Sequence, residues 1–420
     1  MEIHKVERGD TLFGIARTYG IPLGRLEGEN GIDDVRELVV GEELVIPDGR
    51  PYTVKDGDTL YSVAAEEGTT ADALLRANQS LRGIPIIYGG QTLYINEERG
   101  REIIVNGYAY PFIEESELRR ALPFLTYLTV FTYGIREDGS LIEADDGRIL
   151  GIASEYGVKT LLLLSTLTDE GVFNNNLSSL VIKDAAVRQR LISSVVEAAL
   201  SKGYSGVEID FEFIPKEDSE GYVSFLRELK ATLEAEGLLL FTALAPKISD
   251  TQSGLLYEGH DYRGIGEVSD YVILMTYEWG YQFGPPLAVA PIKNVEQVVS
   301  YAVSRIDPDK ILLGIPNYGY DWPLPFVKGE TEAKGISNRI ALQTAEEFGA
   351  EIMLDEGSQA PYFNYYRDGR EHVVWFENAT SISSKLSLVE KYRLAGISIW
   401  QIMRFFPQLY SVLSSEFKIK

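Results

Sequence analysis

Residues 205–215 read Ser205-Gly206-Val207-Glu208-Ile209-Asp210-Phe211-Glu212-Phe213-Ile214-Pro215. Acids and apolar residues alternate. In a strand, successive side chains point to opposite faces, so Glu208, Asp210 and Glu212 share one face and Val207, Ile209, Phe211 and Phe213 the other. Three carboxylates roughly 5–7 Å apart repel one another, and burial adds to the penalty, so at least one keeps its proton near neutrality. That is how a general acid is made. The competing reading is a solvated edge strand, against which stands the uniformly apolar opposite face.

Outward from this stretch, apolar runs recur from Arg101 to Lys420: Ile103–Tyr108, Tyr127–Tyr133, Thr160–Ser165, Gly206–Phe213, Leu238–Leu244, Tyr271–Tyr277, Ile311–Ile315 and Gly396–Trp400. The acidic run is the fourth of eight. Runs such as Thr160-Leu-Leu-Leu-Leu-Ser165 do not alternate, as expected of strands covered on both faces. Amphipathic stretches such as Ala186–Ser201 and Tyr222–Glu236 lie between them. The pattern predicts an α/β fold, a (β/α)₈ barrel over residues 100–420, with its site at the C-terminal strand ends. The gap between the last two runs is too long for one helix. It predicts a small α+β insertion at about 323–380, with strands at Phe363-Asn-Tyr-Tyr and His372–Phe376.

The first hundred residues are a repeat. Val6–Gly20 and Val54–Gly68 match with Gly9-Asp10-Thr11-Leu12 over Gly57-Asp58-Thr59-Leu60, and Asn30 and Asn78 keep the same offset. Each copy reads as strand, turn, helix capped by Asp10 or Thr11, second helix and closing strand (Glu43–Ile46; Thr92–Ile95). The expected boundaries are 1–49 and 50–98.

Composition narrows the chemistry. The 420 residues carry a net charge of −24, which disfavours nucleic acid and anionic lipid as partners. There is no cysteine, and only His4, His260 and His372 are available. None of the three has a second His at metal-ligand spacing, nor stands near a Gly-x-Ser-x-Gly turn, so zinc and a Ser-His-Asp triad are disfavoured and catalysis falls to carboxylates. Twenty-five tyrosines and four tryptophans suit stacking on sugar rings. No apolar run approaches bilayer length, and Met1–Lys5 lacks the basic and apolar regions of a secretory signal.

The repeat resembles the LysM module. LysM modules bind N-acetylglucosamine-containing glycans, and the resemblance points to Gly9, Asp10, Thr11 and Asn30, and to Gly57, Asp58, Thr59 and Asn78, with Ile32 and Leu81 nearby. The same residues are equally read as turn and cap residues that fix the fold. Two weak modules in tandem gain by avidity.

The fourth run resembles glycoside hydrolase family 18, the chitinase-like family, whose motif there is D-G-x-D-x-D-x-E. Ser205 and Glu208 depart from it, while Asp210 and Glu212 match. The resemblance implies that Glu212 is the acid/base, that Asp210 orients the substrate acetamido group, and that Glu208 supports them. It also implies hydrolysis with retention through the substrate's own acetamido group, with no metal or cofactor. Leu274-Met-Thr-Tyr277-Glu278-Trp279 is similar to the family's M-x-Y stretch and gives Tyr277 as a donor to the acetamido carbonyl, with Glu278 where Asp is usual. Trp400 matches the family's pocket floor. Tyr318, Glu278 and Trp279 are candidate substrate contacts, whereas Tyr320 and Trp322 read equally as packing residues. The whole chain resembles spore cortex-lytic N-acetylglucosaminidases of endospore-forming bacteria. That implies a monomeric peptidoglycan hydrolase acting in the spore cortex or coat region, or alternatively at the cell wall. The other readings are a chitinase on N-acetylglucosamine polymer and a non-catalytic glycan-binding spore-coat protein.

Overall fold

The computed structural model describes residues 1–32 and 38–420. Eight parallel strands close into a barrel: β1 (Glu102–Ala109), β2 (Tyr127–Ile135), β3 (Lys159–Ser165), β4 (Gly206–Asp210), β5 (Leu239–Leu244), β6 (Tyr271–Leu274), β7 (Ile311–Pro316) and β8 (Gly396–Trp400). Each pairs with the next, and β8 returns to β1. The alternation of side chains sorts the core into two layers. Leu161, Leu163, Phe241, Ile273 and Leu312 fill the barrel interior, while Leu162, Leu164, Val207, Ile209 and Leu240 meet the surrounding helices. Glu208 stands in register with Leu163 and Phe241, so its carboxylate belongs to the inner layer.

Two runs stop earlier than the sequence pattern suggests. β4 ends at Asp210 and β6 at Leu274. Beyond Asp210 the strict alternation lapses: Phe211 is buried, but Phe213, expected on the apolar outer face, is 39% exposed. The helices that flank β4 follow the expected stretches, Ala185–Lys202 and Ser219–Ala235. The first starts where the Asp184 carboxylate accepts the amides of Ala186 and Val187 and stops at Gly203, whose φ of 75° suits a residue without a side chain.

The insertion begins at Gly319, directly after β7. Its five antiparallel strands (Gly319–Pro323, Lys334–Ile336, Met353–Asp355, Ala360–Arg367, Arg370–Trp375) carry the helix Asn338–Phe348. Trp322 is fully buried in this subdomain, and Tyr320 pairs with Trp375, which is why its edge falls a few residues before the expected 323.

Each N-terminal repeat is a two-stranded antiparallel sheet with two helices. Glu2–Lys5 pairs with Glu43–Ile46, and Arg50–Thr53 with Thr92–Ile95. Thr11 and Thr59 cap the first helices, accepting the amides of Gly14 (3.0 Å) and Ser62 (3.1 Å). Asp10 and Asp58 instead close the preceding turns by accepting the amides of Glu7 and Lys55, both at 2.8 Å.

Both repeats are fastened to the barrel. The Glu43 carboxylate accepts the amide (2.8 Å) and hydroxyl (2.6 Å) of Thr380, and the Ile352 amide donates to Val40 O at 2.9 Å. Gly41 lies so close to the Ile352 carbonyl that a Cβ would sit 1.9 Å from it. In the second repeat, Tyr156 donates to Gly83 O and Arg76 to Pro123 O, both at 2.9 Å. A three-way joint completes the attachment. Glu29 of the first repeat accepts from Gln79 of the second (3.1 Å) and from Ser411 on the barrel's last helix (2.8 Å).

Candidate active site

A cavity of about 300 Å³ opens at the C-terminal ends of the barrel strands. Asp210, Glu212, Tyr277, Glu278 and Trp400 line it, together with Tyr108, Tyr110, Phe131, Phe173 and Phe213. The lining combines acids with aromatic rings, and no Lys or Arg is among the lining residues.

The acids form a graded series. Glu208 lies beneath the cavity with no exposure; it accepts from the Tyr108 phenol and from Thr129 Oγ1 at 2.9 Å. Burial pushes its carboxyl up to about 7, against the pull of those two donors. Asp210 follows at the strand end. Its Oδ1 is closed off from solvent and has no hydrogen-bond partner. Desolvation, then the charges of Glu212 and Glu208, hold its carboxyl well above the usual range. Glu212, also raised, owes this first to desolvation and then to Glu278. All three carboxyls are raised, with desolvation the largest cause in each, so the site favours protonated acids more than an exposed cluster would.

Glu278 stands at the mouth with φ of 67°, a left-handed conformation uncommon for a residue with a side chain. Its carboxylate accepts from the Tyr318 phenol and from the Tyr320 phenol at 3.0 Å. Burial raises its carboxyl despite these donors. The Tyr277 phenol is pushed far up by burial and by the neighbouring carboxylates, so it remains an O–H donor.

Trp400 is half-buried. Tyr108 and Phe131 meet it nearly edge-on, with centroids 5.2 and 5.1 Å away, which fixes the indole while leaving it in the cavity wall. Phe131 in turn contacts Tyr110 (5.0 Å), and Tyr110 stacks with the exposed Phe112 (5.2 Å). A lining of aromatic rings and hydrogen-bonding carboxylates suits a pyranose ring.

Four sequence candidates take other places. Tyr318 is half-buried and holds Glu278 instead of lining the cavity. Trp279 packs against the outer barrel core and is likewise absent from the lining. Asn30 and Asn78 are buried clamps within their repeats. Each donates to two carbonyls (Leu26 and Val45; Leu74 and Tyr94) and accepts a backbone amide (Val45; Tyr94), and Asn30 also accepts from Gln408 at 3.4 Å, so both side chains are engaged inside the protein. Gly9, Thr11, Gly57 and Thr59 are exposed, while Asp10 and Asp58 are half-buried and tied into the turns. Beside them stand two residues that the sequence reading passed over, Phe13 (67% exposed) and Tyr61 (66%), equivalent in the repeat. The repeat offset alone pairs these two positions. Tyr108 and Phe131 were within reach as aromatic residues near the ends of the first two strands, whereas Tyr110 and Phe173 sit in loops with no periodic signal.

A larger cleft, of about 920 Å³, lies between the two repeats and the last barrel helix (Pro407–Glu416). Much of its charge is already paired, Arg50 with Glu67, Arg76 with Glu98, and the Met1 amine with Asp48. It lacks the cavity's combination of unpartnered acid and aromatic wall.

The model of the glycosyl hydrolases family 18 matches residues 110–404, and that of the LysM domain matches 4–47 and 52–96. The chain is 39% identical to the cortical fragment-lytic enzyme of Bacillus subtilis, across all of this chain and 99% of that one. It is also similar to the crystal structure of the Bacillus cereus spore cortex-lytic enzyme SleL, with a TM-score of 0.85 and 36% identity over 100% of this chain and 98% of that one. A chitinase from Chromobacterium violaceum shares the barrel region, with a TM-score of 0.69 and 26% identity over 74% of this chain and 98% of that chain.

Proposed function

This chain belongs to glycosyl hydrolase family 18 and carries two LysM domains, and from that membership we propose that it hydrolyses spore-cortex peptidoglycan after N-acetylglucosamine. It is a glycoside hydrolase of N-acetylglucosamine-containing glycans, and its relatives named for the cortex place its work in the spore. The observation that carries the reading is that Asp210, whose buried Oδ1 lacks a hydrogen-bond partner, and Glu212 line one cavity together with a set of aromatic residues. A buried acceptor without a donor is costly unless a ligand supplies one.

In the proposed reaction the sugar before the cut rests on Trp400. Glu212 gives its proton to the glycosidic oxygen as the bond to C1 breaks. The carbonyl oxygen of the same sugar's acetamido group forms a bond to C1. Asp210 accepts the acetamido N–H and counters the positive charge of the oxazolinium ion, while the Tyr277 phenol donates to the acetamido oxygen. Glu212, now a carboxylate, takes a proton from water as the water oxygen bonds to C1 and the bond from C1 to the acetamido oxygen breaks, which restores the acetamide and retains the configuration. The upward shift of Glu212, caused first by desolvation and then by Glu278, supports this sequence, because it favours the protonated form that a general acid needs. The exposed turns at Gly9–Thr11 and Gly57–Thr59, with Phe13 and Tyr61 beside them, are the proposed grip on the polymer.

The test is mass spectrometry of products from purified spore cortex and from vegetative wall. Muropeptides with N-acetylglucosamine at the new reducing end, released from cortex, are expected. Products ending in muramic acid would overturn the assignment of the bond, and release of N-acetylglucosamine oligomers from chitin alone would make the enzyme a chitinase.

A further inference from the structure

His260 is one of three histidines in the chain and is completely buried. It follows β5, yet its imidazole reaches two neighbouring strand ends. Nδ1 accepts the amide of Ala245, the residue after β5, at 3.0 Å. Nε2 donates to the carbonyl of Phe211 at 3.0 Å. An amide can only donate and a carbonyl can only accept, so these two bonds fix the neutral ring with its proton on Nε2.

Phe211 is the residue between Asp210 and Glu212, and its carbonyl belongs to the peptide that leads into Glu212. β4 has ended at Asp210, so no strand ladder holds that peptide. We propose that His260 is the positioning residue for the catalytic pair: it replaces the missing ladder bond and fixes the peptide from which Glu212 projects. The proposal rests on the assignment of Asp210 and Glu212 given above.

The surroundings are arranged to hold the ring. Tyr222, from the helix after β4, lies against it with centroids 6.1 Å apart. Lys247 Nζ donates to the His260 carbonyl at 2.8 Å, and Tyr262 donates to Ala245 O at 2.5 Å. Gly259 approaches the Ile214 carbonyl so closely that a Cβ would come within 2.2 Å, which brings the two loops together at a second point. Burial, with Lys247 as the charged neighbour, pushes the imidazole down to about 4, so the donor–acceptor pattern persists through mildly acidic conditions. Tyr222, which lies against the ring, and Tyr262, which is bonded to Ala245 beside it, stay neutral there, their phenols pushed up by burial.

Two substitutions split the two bonds. Glutamine at 260 places an amide nitrogen near the Nε2 position and keeps the bond to Phe211. Asparagine is long enough for the Ala245 amide but too short for Phe211. With soluble cortex fragments as substrate, His260→Asn is expected to lower kcat on the order of 10- to 100-fold with KM within about threefold, since displaced reacting groups cost rate more than binding. His260→Gln is expected to restore most of the rate. Nitrogen NMR of the full chain labelled in its histidines is expected to show His260 neutral and protonated on Nε2 at pH 5.5. A folded His260→Asn with kcat within twofold of the parent, or equal losses in both variants, would overturn the proposal; so would a charged or Nδ1-protonated His260. If His260→Asn does not fold, His260→Gln and the NMR measurement decide. Should the parent itself release no product, the hydrolase assignment fails, while the tautomer measurement still reads the His260 contact.

Discussion

Glu278 and Tyr320 meet across the boundary between barrel and insertion, phenol to carboxylate at 3.0 Å. The inserted subdomain therefore holds the acid at the mouth of the cavity, and the charge of that acid raises Glu212. Replacing Glu278 with Gln removes the charge and keeps the size. Glu212 then falls toward its ordinary value, and the basic limb of the pH profile of kcat/KM moves to lower pH. An unmoved limb would show that Glu278 does not act on Glu212 through charge.

Glu212→Gln removes the proton donor from the cavity. A loss of kcat of roughly 10³-fold or more is expected, within the range of general acid and base effects. Pull-down on insoluble cortex should be unchanged, because the exposed repeat turns are untouched. Equal hydrolysis by variant and parent would remove Glu212 from its role.

Asp210→Asn keeps an acceptor for the acetamido N–H but loses the charge that balances the oxazolinium ion. We expect kcat to fall on the order of 10²- to 10³-fold, comparable to removing an electrostatic stabiliser from other acyl and glycosyl transition states. The same chemistry predicts that strands chemically stripped of N-acetyl groups resist the parent enzyme. Cleavage of such strands at the normal rate, read by reducing-end release, would exclude substrate assistance.

Glu29, at the joint of the two repeats and the barrel, is pushed up to about 7 by burial, opposed by Ser411, Arg25 and Gln79. A carboxyl whose folded value lies above its unfolded one stabilises below the unfolded value and loses that contribution as pH rises through the folded one. The window here is pH 4.5 to about 7, and its span corresponds to on the order of 3 kcal/mol. The parent's thermal midpoint should therefore fall more between pH 5 and 8 than that of Glu29→Gln. Glu208 shifts in the same direction but is present in both proteins, so the difference isolates Glu29. Parallel curves for the two proteins would count against the joint.

Asn78→Ala tests the clamp in the second repeat. It removes bonds of 2.8, 2.8 and 2.7 Å and leaves three backbone groups of Leu74 and Tyr94 unpaired, at a cost of about 2–4 kcal/mol. Hydrogen exchange within residues 50–96 should accelerate. Weakened cortex binding without any change in exchange would return Asn78 to the sugar contacts.

The barrel and the acid pair were legible because strand periodicity and the Asp210–Glu212 spacing are local signals. Trp400 and Tyr277 were legible through the motifs that surround them. Other features depend on where a strand stops. Phe213 turns toward the cavity because β4 has already ended, and no residue pattern in Gly206–Phe213 marks that end. Tyr318 follows β7 as an apparent pocket residue, but the left-handed Glu278 intercepts its phenol. Asn30 and Asn78 each clamp their own repeat, and recurrence alone does not separate a clamp from a contact. His260 carried no signal at all, since its partners lie 15 and 49 residues away.

Glu43, Tyr156 and the Glu29 joint bolt both LysM domains to the flank of the barrel. The exposed repeat turns and Glu212 therefore stand at a separation set by these bonds and not by a tether. On the proposed grip the enzyme would act as a gauge, because a strand held at the repeat turns would reach the acid a fixed number of sugars from where it is held.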